Sequence, residues 1–301
     1  MAGNLKEVRD RIASVNNTQQ ITKAMKMVSA SKLRLAQGAI QRMRPYADKL
    51  NDMLRNILSN MDGDSSTMYG VERPVEKVCI VVVTSNRGLC GAFNTNINKA
   101  VVKKLTEDYA SQLEAGNVSL VFIGKKGYDF FRKRYTNIQF HTDNLLLFDD
   151  LSFDNVKKVS QWLMDGFLNQ KFDRVDVAYG FFKNAAVQYS LVQQFLPVEK
   201  LEVSEEGAEE RKHKVDYTFE PDQQELLDYL VPSILQTQFQ KYLLDTHASE
   251  HGARMTAMDK ASENANDLLK ELKLSYNKAR QEAITKEILE IVGGAAALEQ
   301  G

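Results

Sequence analysis

Residues 244–283 read LDTHASEHGARMTAMDKASENANDLLKELKLSYNKARQEA, and their spacing decides the architecture. An apolar or small residue recurs at alternating steps of four and three: Leu244, Ala248, His251, Met255, Met258, Ser262, Ala265, Leu269, Leu272, Tyr276, Ala279 and Ala283. That alternation is a heptad seam, the pattern of a helix packed along its length against another helix. No proline follows Pro232, so the spacing predicts one helix from about Asp222 to the C-terminal glycines. At a rise of 1.5 Å per residue it would run about 100 Å, too long for one globular core to cover. Such a helix requires a partner.

The other end of the chain supplies one. From Leu5 the same steps give Val8, Ile12, Val15, Gln19, Thr22, Lys26, Ser29, Leu33, Ala36, Ile40, Met43, Ala47, Leu50, Leu54 and Ile57. Both ends of this series are apolar and its middle is polar. Between Gln19 and Ser29 the apolar residues are Ile21, Met25 and Val28, a rotated stripe that marks a local change of supercoil or partner. Pro45 predicts a kink, and Gly63-Asp64-Ser65-Ser66 predicts the helix end. If the intervening segment folds back compactly, the two helices pair antiparallel.

That segment, from Pro74 to Pro221, changes character. Val78–Thr84 reads as a buried parallel-type strand and Ser119–Gly124 as a second. Arg174–Gly180 gives a third, and Val187–Val192 an antiparallel one. Helices are expected over Phe93–Asp108, Tyr128–Arg134 and Phe153–Asn169, and Glu202–Lys214 as an exposed loop or hairpin. Strands alternating with helices imply a small doubly wound, Rossmann-like α/β domain. The expected division is therefore an N-terminal coiled-coil helix (1–60), an α/β domain (74–221) and a C-terminal coiled-coil helix (222–301).

Composition excludes several classes. Acidic and basic residues nearly balance, at a formal net charge of −1, and no long basic run invites nucleic acid. Cys79 and Cys90 are too few for a disulfide framework or a metal knuckle, which fits a reducing compartment. The charged, helix-patterned start is not a secretory signal, and Val78–Val83 is far too short to span a membrane, so any membrane association must pass through a partner. Ser85–Gly91 stands where a phosphate-binding turn would follow the first strand. It is neither G-x-G-x-x-G nor a P-loop, and Gly124-Lys125-Lys126-Gly127 also fails the pattern. The glycines are expected to serve a tight strand-to-helix turn, with no cofactor. His247-Ala248-Ser249-Glu250-His251 matches H-x-x-E-H, which places two imidazoles one helical turn apart. His251 falls on the seam and no third ligand is marked downstream, so a zinc protease is not expected, and neither a catalytic nor a metal site is assigned.

Several stretches together resemble one family, the gamma subunit of the F-type ATP synthase. They are Arg11–Val28 (RIASVNNTQQITKAMKMV), Arg87–Asn94 (RGLCGAFN), Asp216–Pro221 (DYTFEP), Ala248–Met255 (ASEHGARM), Tyr276–Gln281 (YNKARQ) and Ile284–Ala297 (ITKEILEIVGGAAA). The likeness covers essentially the whole chain. It implies a non-catalytic rotor shaft that couples ion-driven rotation of a membrane ring to conformational change in catalytic subunits. Implied partners are a hexamer of alternating catalytic and non-catalytic alpha and beta subunits, the epsilon subunit and the membrane c-ring. Implied partner-contacting residues, at the interface of rotor and ring, are Lys23, Met25 and Lys26 on the first helix and Arg254, Lys286, Glu287 and Glu290 on the last. Asn86 stands where the family more often has an acid, and Lys286 where several relatives carry an amide. The cysteine-bearing regulatory loop of chloroplast relatives is missing, so thiol control of that kind is not expected. The expected location is the cytoplasmic face of a bacterial membrane. A coiled-coil scaffold without a rotary role is the alternative.

Overall fold

The computed structural model describes residues 2–59, 68–198 and 223–299. The expected turn at Gly63–Ser66, the charged segment Glu202–Lys214 and the Asp216–Pro221 motif lie outside them. Helix α1 runs from Ala2 to Ser59 and helix α6 from Gln223 to Glu299, with 58 and 77 residues. Their lengths are thus about 87 and 115 Å. Helix α1 continues through Pro45. The glycines do not end α6, contrary to the sequence expectation: Gly293 and Gly294 are both helical. Each glycine costs a helix only about 1 kcal/mol relative to alanine, and three alanines follow.

The chain divides into two compact units. The first comprises Met1–Ser29 and Arg254–Gly301 and is an antiparallel helix pair. Its register is set by cross-helix contacts of Arg9 with Tyr276, Thr22 with Ser262 and Lys26 with Asp259. Forward steps on α1 match backward steps on α6. On α6 the buried residues of this unit include Met258, Ser262, Ala265, Leu269 and Leu272, all seam positions. The α1 seam also keeps its register through the polar window. Thr22 and Ser29 are buried, while Ile21 and Val28 are 59% and 58% exposed. The rotated apolar stripe is therefore not a helix-pairing face. Hydroxyls can hold the seam because they satisfy one another, as detailed below.

The second unit, Ala30–Ala253, is built on a five-stranded sheet. Strands β1 (Val78–Val83), β2 (Val118–Ile123), β3 (Gln139–His141) and β4 (Arg174–Phe182) are parallel, and β5 (Gln188–Leu196) is antiparallel to β4. The spatial order is β3-β2-β1-β4-β5. Helices α2 (Phe93–Glu107), α3 (Ala110–Glu114) and α4 (Lys125–Phe131) accompany the first two crossovers, and α5 (Phe153–Leu168) returns the chain to β4. Alternation along β1 serves both faces. Val78, Ile80 and Val82 pack with Ile97 and Val101 of α2, and Cys79, Val81 and Val83 with Leu163 and Phe167 of α5. Both faces are covered, so every β1 side chain is buried, as a parallel central strand requires.

Helix α6 joins this second core through Leu235, Phe239 and Leu243. At Gly180 of β4 the helix is bonded directly to the strand. The glycine N–H donates to Thr246 Oγ1 (3.1 Å), its carbonyl accepts from Ser249 Oγ (3.0 Å), and an added Cβ would lie 2.7 Å from the Phe93 ring. Only glycine fits there.

Candidate functional site

All seven sequence-selected residues belong to the helix-pair unit, but they do not form one site. Lys23, Met25 and Lys26 lie near one polar stretch of the seam. Thr22 and Ser262 place their hydroxyl oxygens 2.8 Å apart in the buried interface. One hydroxyl donates to the other, and the accepting hydroxyl donates in turn to a carbonyl of its own helix, Gln19 O or Met258 O. Both groups are thus satisfied, which avoids the cost of about 1–3 kcal/mol for an orphaned buried hydroxyl. One turn further along α1, Lys26 pairs with Asp259 across the helices. Both side chains are close to half exposed, so the pair is worth at most about 1 kcal/mol and fixes register more than stability. Lys23 is exposed and Met25 half-buried.

Lys286, Glu287 and Glu290 form a second group at the end of the pair. With Ala283 they face Leu5, Lys6 and Arg9 of α1 across an open groove. Lys286 Nζ and Glu290 lie 3.6 Å apart, an i,i+4 ion pair in solvent. Interleaved with them and just beyond, Ile284, Ile288, Leu289, Ile291 and Val292 of α6 are between 49% and 67% exposed. Arg254 belongs to neither group and is only 7% exposed.

Sequence reading missed Asp259, and it placed Ser262 and Tyr276 on the seam without their polar partners. Asp259, Ser262 and Tyr276 answer Lys26, Thr22 and Arg9, and complementary polarity across an antiparallel register would have found them. It also missed Asp245, an acid inside the apolar run of α6. Burial, only partly offset by Lys241, pushes its carboxyl up to about 6.

The turn after β1 is closed by its own side chains. The Ser85 N–H donates to Asn94 Oδ1 (3.0 Å), Asn94 Nδ2 donates to Ser85 Oγ and reaches Cys90 Sγ (3.2 Å), and Asn86 Oδ1 accepts the Lys125 N–H (3.3 Å). Gly91 and Gly124 hold the positive φ values that this turn and the next require (60° and 98°). Both cysteines are buried, and burial drives the Cys79 thiol far upward. His247 and His251 do meet, with Nε2 atoms 3.1 Å apart. Among the described residues, no third His, Cys, Asp or Glu joins them in a metal-holding group. No helix among these residues is long and apolar enough to cross a membrane.

The chain thus combines an antiparallel helix pair, whose α6 end exposes an apolar face, with a doubly wound α/β domain. Comparison with known proteins agrees. The family model described as ATP synthase matches residues 4–298. The ATP synthase gamma chain of Cytophaga hutchinsonii is 52% identical, over 98% of each chain. That of Flavobacterium psychrophilum is 50% identical, over 98% of this chain and 99% of its own. A chain of the Euglena gracilis mitochondrial ATP synthase, solved with OSCP, F1 and c-ring, superposes with a TM-score of 0.67, covering 100% of this chain and 96% of its own. At 24% identity that likeness speaks for the fold. The chain belongs to the family of ATP synthase gamma chains.

Proposed function

We infer that the chain is the non-catalytic central shaft of an F-type ATP synthase, turning inside the alpha/beta hexamer and bearing on the epsilon subunit and the c-ring. Chemistry belongs to the surrounding subunits. The full-length match to gamma chains, at 52% identity, carries this reading. The helix pair supplies its mechanics: a seam of small and apolar side chains makes a thin, stiff element that can transmit torque. Its asymmetry presents a different face to each catalytic site as it turns, and a partner shifts an equilibrium only through contacts that differ between states.

The candidate residues divide by role. Lys23 and Met25, beside the exposed Ile21 and Val28, present a mixed apolar and cationic face to the ring. Lys26 is engaged by Asp259 and holds the pair in register. Lys286, Glu287 and Glu290 line the groove to α1 and put charge at the edge of an apolar tip, and a sleeve formed by other chains covers that tip in the complex. The complex holds this chain at the cytoplasmic face of the membrane, through partners. Affinity purification from the native membrane tests the reading. The chain is expected to co-purify with P-loop catalytic subunits in a complex whose ATP hydrolysis pumps ions. Recovery of the chain without those subunits would overturn it.

A further inference from the structure

We propose that His247 and His251 form a two-nitrogen chelate for a divalent transition metal of the zinc, nickel and copper class. The proposal does not depend on the shaft reading. The two residues are one turn apart on α6, and their Nε2 atoms are 3.1 Å from each other. Two nitrogens bound to one zinc at about 2.0–2.1 Å, with a tetrahedral angle between them, stand about 3.3 Å apart, so the pair already has the required bite. The ring planes are nearly perpendicular, at 87° with centroids 4.5 Å apart. The His247 ring is further held by Phe148, stacked on it at 5.8 Å and 17°.

In the free chain one imidazole donates its Nε2–H to the other. Metal binding needs the donor ring to take its Nδ1–H tautomer. The two rings must also turn, so that both Nε2 lone pairs point to one cation and no longer along the hydrogen bond, and no net proton is exchanged. His247 is half-buried and His251 is 6% exposed. With two protein ligands, water completes the coordination, and borderline-soft cations that favour imidazole are selected over calcium and magnesium. The chelate spans the turn of α6 whose Thr246 and Ser249 bond Gly180 of β4, so it braces the helix where the sheet is tied to it.

The test uses the tag-free full-length chain, stripped of metal and titrated with Zn²⁺, then examined with Cu²⁺ by electron paramagnetic resonance. The chain has four histidines, so the background is small. One zinc per chain is expected, with a copper spectrum showing two nitrogen ligands and a raised melting temperature. His247→Gln should lower zinc affinity by at least about tenfold and leave one nitrogen in the copper spectrum. The double variant His141→Gln, His213→Gln should bind as the parent does. Unchanged binding in His247→Gln, or loss of binding in the double variant, would overturn the proposal, as would a parent spectrum without nitrogen couplings.

Discussion

Cutting α6 at two points separates the helix pair from its apolar tip. Removing Gly293–Gly301 takes away none of Ile284, Ile288, Leu289, Ile291 and Val292, which are 49–67% exposed. Removing Ile284–Gly301 takes all five, yet leaves the seam through Ala283 and the Arg9–Tyr276 contact (3.0 Å) in place. Full burial of such a side chain is worth about 1.5–3 kcal/mol, so sheathing its exposed half contributes about 1 kcal/mol, or about 5 kcal/mol for the five. That is between three and four powers of ten in docking affinity, roughly. The Lys286–Glu290 pair, lost as well, is exposed and adds little. The short truncation should therefore assemble normally, with ATP hydrolysis and torque close to the parent. The long one should assemble poorly and slip under load. Complex yield on native gels, ATPase rate and single-molecule torque measure the difference. A long truncation that assembles and generates full torque would refute the sleeve around this tip.

Met25→Lys adds an ammonium beside the exposed Ile21 and Val28, where a new ion pair with the ring would hold one rotary state. The complex should assemble and hydrolyse ATP with reduced ion pumping, and normal pumping would contradict this role. Thr22→Val should destabilise by about 0.5–1.5 kcal/mol, because the Ser262 hydroxyl loses its cross-helix partner while still donating to the Met258 carbonyl, and a double-mutant cycle with Ser262→Ala in denaturation should report a coupling of similar size. Asp245 carries a carboxyl raised to about 6 from its ordinary 3.8. Its protonated form is thus favoured by folding, and the stability it lends below that ordinary value is lost as pH rises through the folded value. Asp245→Asn should match the parent at acid pH and exceed it at neutral pH by up to about 3 kcal/mol, a widening gap that thermal melts across pH will follow.

The helix pair was legible because a heptad seam repeats over many turns, and burial falls on those positions even where they are Thr22, Ser29 and Ser262. The strands β1 and β2 were legible as apolar runs, and β4 as a valine-bearing stretch, Arg174-Val175-Asp176-Val177-Ala178. Strand β3 was not: Gln139–His141 is three residues at a sheet edge and carries no period. Helix α4 begins at Lys125, earlier than the aromatic pattern indicates, because Gly124 turns at φ 98° and the Gly127 N–H finds Thr84 Oγ1 at 2.8 Å. The charges at Lys26, Lys286 and Glu290 were visible, but their pairings were not. Asp259 answers Lys26 only once the antiparallel register is known, and Glu290 answers Lys286 within its own helix. Gly293 and Gly294 misled because an exposed helix tolerates glycine at modest cost.

The central claim is that this chain turns as one shaft within an ATP-hydrolysing complex. Cys79 and Cys90 are buried, so Lys157→Cys, on the exposed side of α5, offers one reactive thiol for a probe. With the hexamer fixed to a surface and ATP supplied, a bead on that thiol should rotate in one direction and pause three times per turn. A bead that stays still while the same complexes hydrolyse ATP would contradict the account.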